Sequence, residues 1–140
     1  MSKMTIYTDG IYDLFHRGHI ESLKLCKNLF TDTHLIVGVI NDLDATNYKR
    51  PPIYSEDDRY EIISNLKCVD EIIKDAPLIV TKEFIEKYNI DLVVHGFSNP
   101  EDANKQSDFY KIPNELGKFR QIDYYKGIST TDIINKIKDM

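Results

Sequence analysis

No stretch of this chain is apolar for long enough to cross a bilayer. Its longest aliphatic run, residues 35–40, is broken only by Gly38 and falls far short of the ~20 residues that a spanning helix needs. Nor does an apolar segment of the kind that precedes a secretory cleavage site follow Lys3, so the sequence predicts a cytoplasmic protein without a membrane span. Cysteine is scarce. Cys26 and Cys68 both fall in helical or apolar surroundings, where free cysteine behaves as a small buried hydrophobe of a reducing compartment, and no disulfide is expected. Basic residues are not in excess either: 18 Lys and Arg against 23 Asp and Glu leave a net charge of −5. That balance argues against nucleic acid as a partner, while leaving room for a small anionic ligand in a local basic pocket.

What is present suits one globular domain, residues 1–140, with 41% hydrophobic and 29% charged residues and length enough to bury a core without disulfide or metal staples. Residues 4–8 read as a β-strand ending at the turn Asp9-Gly10. From His19 onward Ile20, Leu23, Leu25, Cys26, Leu29 and Phe30 keep largely to helical spacing, and the apolar run 35–40, which lacks alternation, reads as a strand buried on both faces. Ser55 followed by Glu56, Asp57 and Asp58 predicts a capped helix carrying Tyr60, Ile62, Ile63 and Leu66, and residues 71–74 a short third strand. Thr81 caps a further helix, residues 92–95 form a fourth strand, and 96–107 read as a polar loop. A weak helix at 108–116, containing Pro113, a fifth strand at 120–124 and a last helix at 132–138 capped by Ser129 complete the chain. Strands alternating with helices predict an α/β, Rossmann-like doubly wound fold. Its mainly parallel five-stranded sheet should carry helices on both faces, with any ligand beyond the carboxyl ends of the strands.

At that rim two of the chain's four histidines, His16 and His19, flank Arg17-Gly18 where the first strand gives way to the first helix. Three residues apart they share a helical face. Gly18 keeps the backbone open, and the helix start adds oriented N–H groups and partial positive charge, so the segment suits a phosphate. Such a pair also occurs as solvated or locally bonded histidines. Zinc would require a third ligand, with Asp9 or Asp13 at hand, yet the segment lacks the Glu and the spacing of a zincin helix.

The segment IYTDGIYDLFHRGHIESLKLCKNLF resembles the signature of the cytidylyltransferase family that activates phosphocholine, phosphoethanolamine and glycerol 3-phosphate. Further matches follow in order: LIVGVINDLDATNYKRPPIYSEDDRYEII, with Lys49 at the family's substrate-contacting lysine and Arg59-Tyr60 in its E-R-Y motif; CVDEIIKDAP; FIEKYNIDLVVHG; and GISTTDII. The resemblance implies a nucleotidyltransferase joining CTP to a phosphorylated alcohol, with release of pyrophosphate and a CDP-alcohol. It makes His16, His19 and Lys49 catalytic, the histidines holding the α- and β-phosphates and Lys49 bridging the incoming phosphate and the nucleotide. Ser129 and Thr130 bind phosphate oxygens, and Gly10, Ile11, Tyr12, Asp13, Gly18, His95 and Gly127 complete the nucleotide site, Asp13 by ordering the H-x-G-H loop. Asp9 faces the head group, with Phe97 or Tyr110 as the substrate-binding residue that supplies one replacement aromatic wall. Magnesium is implied with the triphosphate, and a homodimer with its contact near residues 68–72 and the H-x-G-H helix.

The chain departs from the family in three places. The arginine of the R-T-E-G motif falls on Tyr124, with Lys126 or Arg120 the cations expected to stand in. The acidic pair after the fourth strand is replaced by Gly96-Phe97, and Leu78 stands where the choline branch has tryptophan. Phosphocholine and phosphoethanolamine therefore remain equal candidates. The alternatives are a homologue that binds nucleotide or a partner with little turnover, or a transferase using glycerol 3-phosphate or another nucleotide.

Overall fold

The computed structural model describes residues 3–140. Five strands, β1 (Met4–Gly10), β2 (Thr33–Val39), β3 (Glu71–Ile73), β4 (Leu92–Gly96) and β5 (Phe119–Ile122), form one sheet in the order β3-β2-β1-β4-β5, every pairing parallel. Seven helices connect them: α1 (Arg17–Lys27), α2 (Asp42–Tyr48), α3 (Glu56–Ser64), α4 (Lys82–Lys87), α5 (Pro100–Gln106), α6 (Lys111–Glu115) and α7 (Thr130–Lys138). A 3-10 turn, Ser107–Tyr110, joins α5 to α6. The order reverses between β1 and β4, and there the outgoing connections diverge and leave a crevice at the carboxyl ends.

The two-residue period of the strands sorts the core into halves. Ile6 of β1, Leu35, Val37 and Val39 of β2 and Val94 of β4 face Leu23 and Cys26 of α1 and Tyr60 and Ile63 of α3. Their neighbours Tyr7, Ile36 and Val93 face the other way, toward Ala45 of α2, Ile85 of α4 and Tyr110. Helices thus cover both faces, as the unbroken apolar runs predict.

Two elements differ from expectation. The rim segment before Lys49 holds α2, whose start is fixed by Asn41 accepting from the Asp44 N–H at 2.7 Å. The expected polar loop at 96–107 holds α5, capped by Asn99 with Pro100 in its first turn. Each buries a single side chain, Ala45 in α2 and Gln106 in α5, so no apolar period marks it, and only the capping residues betray it. Pro113 is tolerated as the third residue of α6 because a helix's first turn has no intrahelical use for its N–H. α1 begins at Arg17, two residues earlier than its apolar pattern, since His16 is its cap.

Arg59 of α3 is fully buried, and its guanidinium donates to the carbonyls of Ile11 and Ile40 at 2.7 Å each, to that of Tyr54 at 3.2 Å and to the Asp42 carboxylate at 2.7 Å. It ties the ends of β1 and β2 to the start of α2. Arg59→Met keeps the volume but strands those carbonyls, each at a cost of about 1–3 kcal/mol; a drop of about 3 kcal/mol or more in urea-unfolding stability is expected.

Candidate active site

A cavity of about 170 Å³ opens at the crevice. Its floor is the turn after β1, a strained one: Tyr12 and Leu14 both lie at positive φ, 58° and 46°, where residues with a Cβ are uncommon. Asp13 between them compensates. Its carboxylate accepts from the N–H groups of Leu14, Ile53 and Tyr54 at 3.1, 2.7 and 2.9 Å, locking the turn against the segment before α3. The Tyr12 ring folds back so closely that a Cβ on Gly10 would stand 2.9 Å from it. Gly10, Ile11, Tyr12 and Asp13 all line the cavity, Asp13 with its carboxylate committed to backbone.

His16 caps α1 by accepting the Gly18 N–H at Nδ1, 2.9 Å, while His19 Nδ1 accepts the His16 N–H at 3.1 Å. The reciprocal cap stacks the two rings with centroids 3.9 Å apart. Since each Nδ1 is an acceptor, each neutral ring carries its proton on Nε2 and is a donor there. Burial, against Tyr12 and Phe15 as well as His16, pushes the His19 pKa down to about 3, helped by the charges of His16 and Lys49. Burial likewise lowers His16, opposed by Asp132. Gly18 has a second role beyond openness: a Cβ there would lie 2.7 Å from the His16 ring and 3.1 Å from the Ile128 carbonyl. The lead-in to α7 can approach α1 only over a glycine.

That approach brings the first turn of α7 to the same cavity. Ser129 caps α7 through the Asp132 N–H, and the Thr130 hydroxyl donates to the Asp13 carbonyl at 2.8 Å. Ser129 and Thr130 line the wall; Gly127 stands just outside, packed under the Tyr125 ring. Lys49, the C-cap of α2, enters from the opposite side. Although much of the residue is exposed, loss of water around its ammonium and the charge of Arg50 lower its pKa, opposed by Asp102. Neither cation expected to replace the missing arginine reaches the cavity. Arg120 and Lys126 are solvent-exposed outside it, whereas Arg50 lines the wall.

At the far end Asp9, buried at the end of β1, accepts the Tyr110 hydroxyl at 2.6 Å. Burial, then the charge of Asp9, raises the Tyr110 pKa and keeps that proton in place. With it committed to Asp9, the 3.0 Å contact between Tyr110 and His95 Nδ1 makes Nδ1 the donor, and the same nitrogen stands 3.3 Å from the Asp9 carboxylate. Asp9 and His95 line the cavity, with Tyr110 behind them in an adjoining recess of about 10 Å³. Phe97 corrects an expectation. Two residues beyond His95, it follows the strand period onto the α4 side and packs in the aromatic cluster with Tyr110 and Phe119, away from the cavity. Sequence reasoning missed Arg50, Gln106 and Asp102 as wall residues. For Asp102 the signal was the Asn99-Pro100 helix start, which places it beside the Ser98 N–H it accepts from at 3.0 Å.

A family profile described as Cytidylyltransferase-like matches residues 7–136. The chain belongs to the cytidylyltransferase-like family. It is similar to choline-phosphate cytidylyltransferase 2 of Arabidopsis thaliana, 39% identical over 94% of this chain and 44% of that protein. A probable ethanolamine-phosphate cytidylyltransferase of Encephalitozoon cuniculi is 32% identical over 94% of this chain and 40% of the relative. The chain therefore spans less than half the length of these curated relatives. Among solved structures, the lipopolysaccharide core biosynthesis protein of Thermoplasma volcanium superposes with a TM-score of 0.67 at 30% identity, covering 88% of this chain and 98% of that one. The five-stranded parallel sheet is thus that of a nucleotidyltransferase-like Rossmann fold, as the alternation of elements predicts.

In this cytidylyltransferase-like chain, His19 makes stability depend on pH in a defined direction. Its folded pKa of about 3 lies below the ordinary 6.5, so between those values the unfolded chain binds more protons. Its contribution is fully present above pH 6.5 and is lost as pH falls toward 3. Urea midpoints measured from pH 7 to pH 4 should fall more steeply for the wild type than for His19→Gln; parallel curves would contradict the burial.

Proposed function

We propose that the chain is the nucleotidyl-transfer domain of a CTP-dependent cytidylyltransferase that transfers CMP to phosphocholine or phosphoethanolamine. The observation that carries this is that His16, His19, Lys49, the α7 start and the Asp9 carboxylate all line one cavity. The first four present donors to a polyphosphate. Neutral His16 and His19 donate from Nε2, α1 and α7 offer N-terminal N–H groups, and Lys49 supplies a mobile positive charge between the two substrates. Asp9 has no Lys or Arg partner among the described residues, so it suits the cationic head group of an amino alcohol better than uncharged glycerol.

In the reaction an oxygen of the phospho-alcohol forms a bond to the α-phosphorus as the bond to the α–β bridging oxygen breaks, and pyrophosphate leaves with the electron pair. The protein's part is to align two anions and to neutralise the charge that builds on the phosphoryl oxygens. Magnesium enters as part of the nucleotide complex, held by the phosphates; among the described residues no three His, Cys, Asp or Glu side chains converge to hold an ion of their own. The homodimer belongs to the same proposal. Ile20 and Leu25 on α1 and Phe30 just beyond it are exposed, an apolar strip for a second copy that sedimentation at micromolar concentration would reveal.

One observation favours binding without turnover: the lead-in to α7 brings Tyr124 and Tyr125 to the cavity and no cation. Both readings meet in one assay. Purified protein with magnesium, CTP and, in turn, phosphocholine, phosphoethanolamine and glycerol 3-phosphate should release pyrophosphate with one of the two amino alcohols. His16→Ala should lower kcat by about 10²–10³-fold, the scale of a lost transition-state donor. Saturable CTP binding with no pyrophosphate from any acceptor would establish the binding-only reading instead.

A further inference from the structure

The polyphosphate end of the cavity holds one group that the proposed reaction has not used. Arg50 follows the C-cap of α2, where its N–H donates to the Ala45 carbonyl at 3.1 Å, and its side chain crosses to the other wall, Nη1 donating to the Thr131 hydroxyl in the first turn of α7 at 3.2 Å. The guanidinium is half-buried on the cavity wall. Of its five N–H donors this bond uses one, and a planar fork remains to meet paired phosphate oxygens.

Its electrostatic setting points to an anion. Lys49 and Arg50 are adjacent cations close enough for the charge of one to depress the pKa of the other, and among the described residues neither makes an ion pair with a carboxylate. Two like charges side by side, offset only in part by Asp102, raise the energy of the empty site, and a polyanion relieves it. The α7 start holds such an anion only weakly on its own, because Asp132 in its first turn offsets the partial positive charge of the helix end. The stretch leading into α7 contributes only Tyr124 and Tyr125, neutral phenols at neutral pH, and Arg120 and Lys126 lie outside.

We propose that Arg50 is a catalytic residue of this site, its guanidinium donating to the oxygens of the departing pyrophosphate from the α2 side of the cavity. This rests on the nucleotidyl-transfer reading above. As the bond between the α-phosphorus and the bridging oxygen breaks, the electron pair stays on pyrophosphate, and the fixed fork of Arg50, anchored on Thr131, neutralises the charge that collects there. Lys49 is then left to the incoming phosphate. The charge that Tyr124 does not supply from the lead-in to α7 is delivered by the loop preceding α3.

The test uses the full chain with two readouts. In turnover with magnesium, CTP and the accepted amino-alcohol phosphate, Arg50→Ala should lower kcat by about 10²–10³-fold with little change in KM for the phospho-alcohol. Arg50→Lys should recover little of it, since an ammonium lacks the fork, and Arg120→Ala and Lys126→Ala should behave as wild type. Adding Tyr124→Arg to Arg50→Ala should restore about tenfold or more, because both positions border the same anion. Retention of wild-type kcat within about threefold by Arg50→Ala would overturn the proposal. The second readout needs no turnover: in titration calorimetry Arg50→Ala should weaken binding of inorganic pyrophosphate by about tenfold, a loss of ~1.4 kcal/mol, and leave CMP affinity unchanged. Equal losses for both ligands, or none, would overturn the assignment. An inactive wild type with the selective pyrophosphate loss would instead reject the transfer reading and keep Arg50 as the pyrophosphate ligand.

Discussion

One buried charge holds the working end of this molecule together. The Arg59 guanidinium, shielded entirely from solvent, gathers carbonyls from the ends of β1 and β2 and the carboxylate at the start of α2. A lone buried cation is costly, and here each guanidinium nitrogen has an oxygen partner, so the cost is offset only while those chain segments stay in register. From that knot emerge the turn that carries His16 and His19 and the helix that ends in Lys49 and Arg50. The strained backbone at Tyr12 and Leu14 is held in the same way, by a carboxylate fully spent on N–H groups. Order at the rim is thus supplied by internal polar bonds rather than by apolar packing, which lies deeper, on the two faces of the sheet.

The histidine pair shows why a local and a functional reading of the same residues need not compete. Capping fixes which ring nitrogen accepts and therefore which donates; helix geometry sets the separation of the two rings, and stacking with burial keeps them neutral. A neutral donor is well suited to phosphate oxygens that gain charge only in the transition state, because it binds the ground state less strongly than a fixed cation would. The permanent charges are rooted at the end of α2, Arg50 reaching across to Thr131 of α7 and Lys49 acting on His19, so the cavity combines neutral donors with fixed cations.

The sheet was legible in the sequence because its central strands are buried on both faces, and a short unbroken apolar run between turn residues is the pattern that such burial demands. α1 was legible from its apolar spacing, α3 and α4 from the caps Ser55 and Thr81 with apolar residues behind them, and His16, His19, Ser129 and Thr130 from their place at helix starts. α2 and α5 were hidden because each buries one residue, and a helix held by caps and by its neighbours leaves no period to read. Phe97 was misplaced for a related reason: residue type suggested an aromatic wall, while direction is set by strand parity, which only the register with β5 reveals. Arg50 was invisible for want of any local pattern. Its partner Thr131 lies 81 residues away, and proximity at that range is a property of the fold.

The bond from the Thr130 hydroxyl to the Asp13 carbonyl spans 117 residues. It makes the last helix a structural part of the first loop, so the cavity has no complete wall until the two ends of the domain meet. During synthesis the sheet can assemble strand by strand as the chain emerges, since β1, β2 and β3 are contiguous in space and in order. The cavity, by contrast, is complete only after residue 131 has cleared the ribosome, so in a nascent chain this rim is the last part of the domain to close.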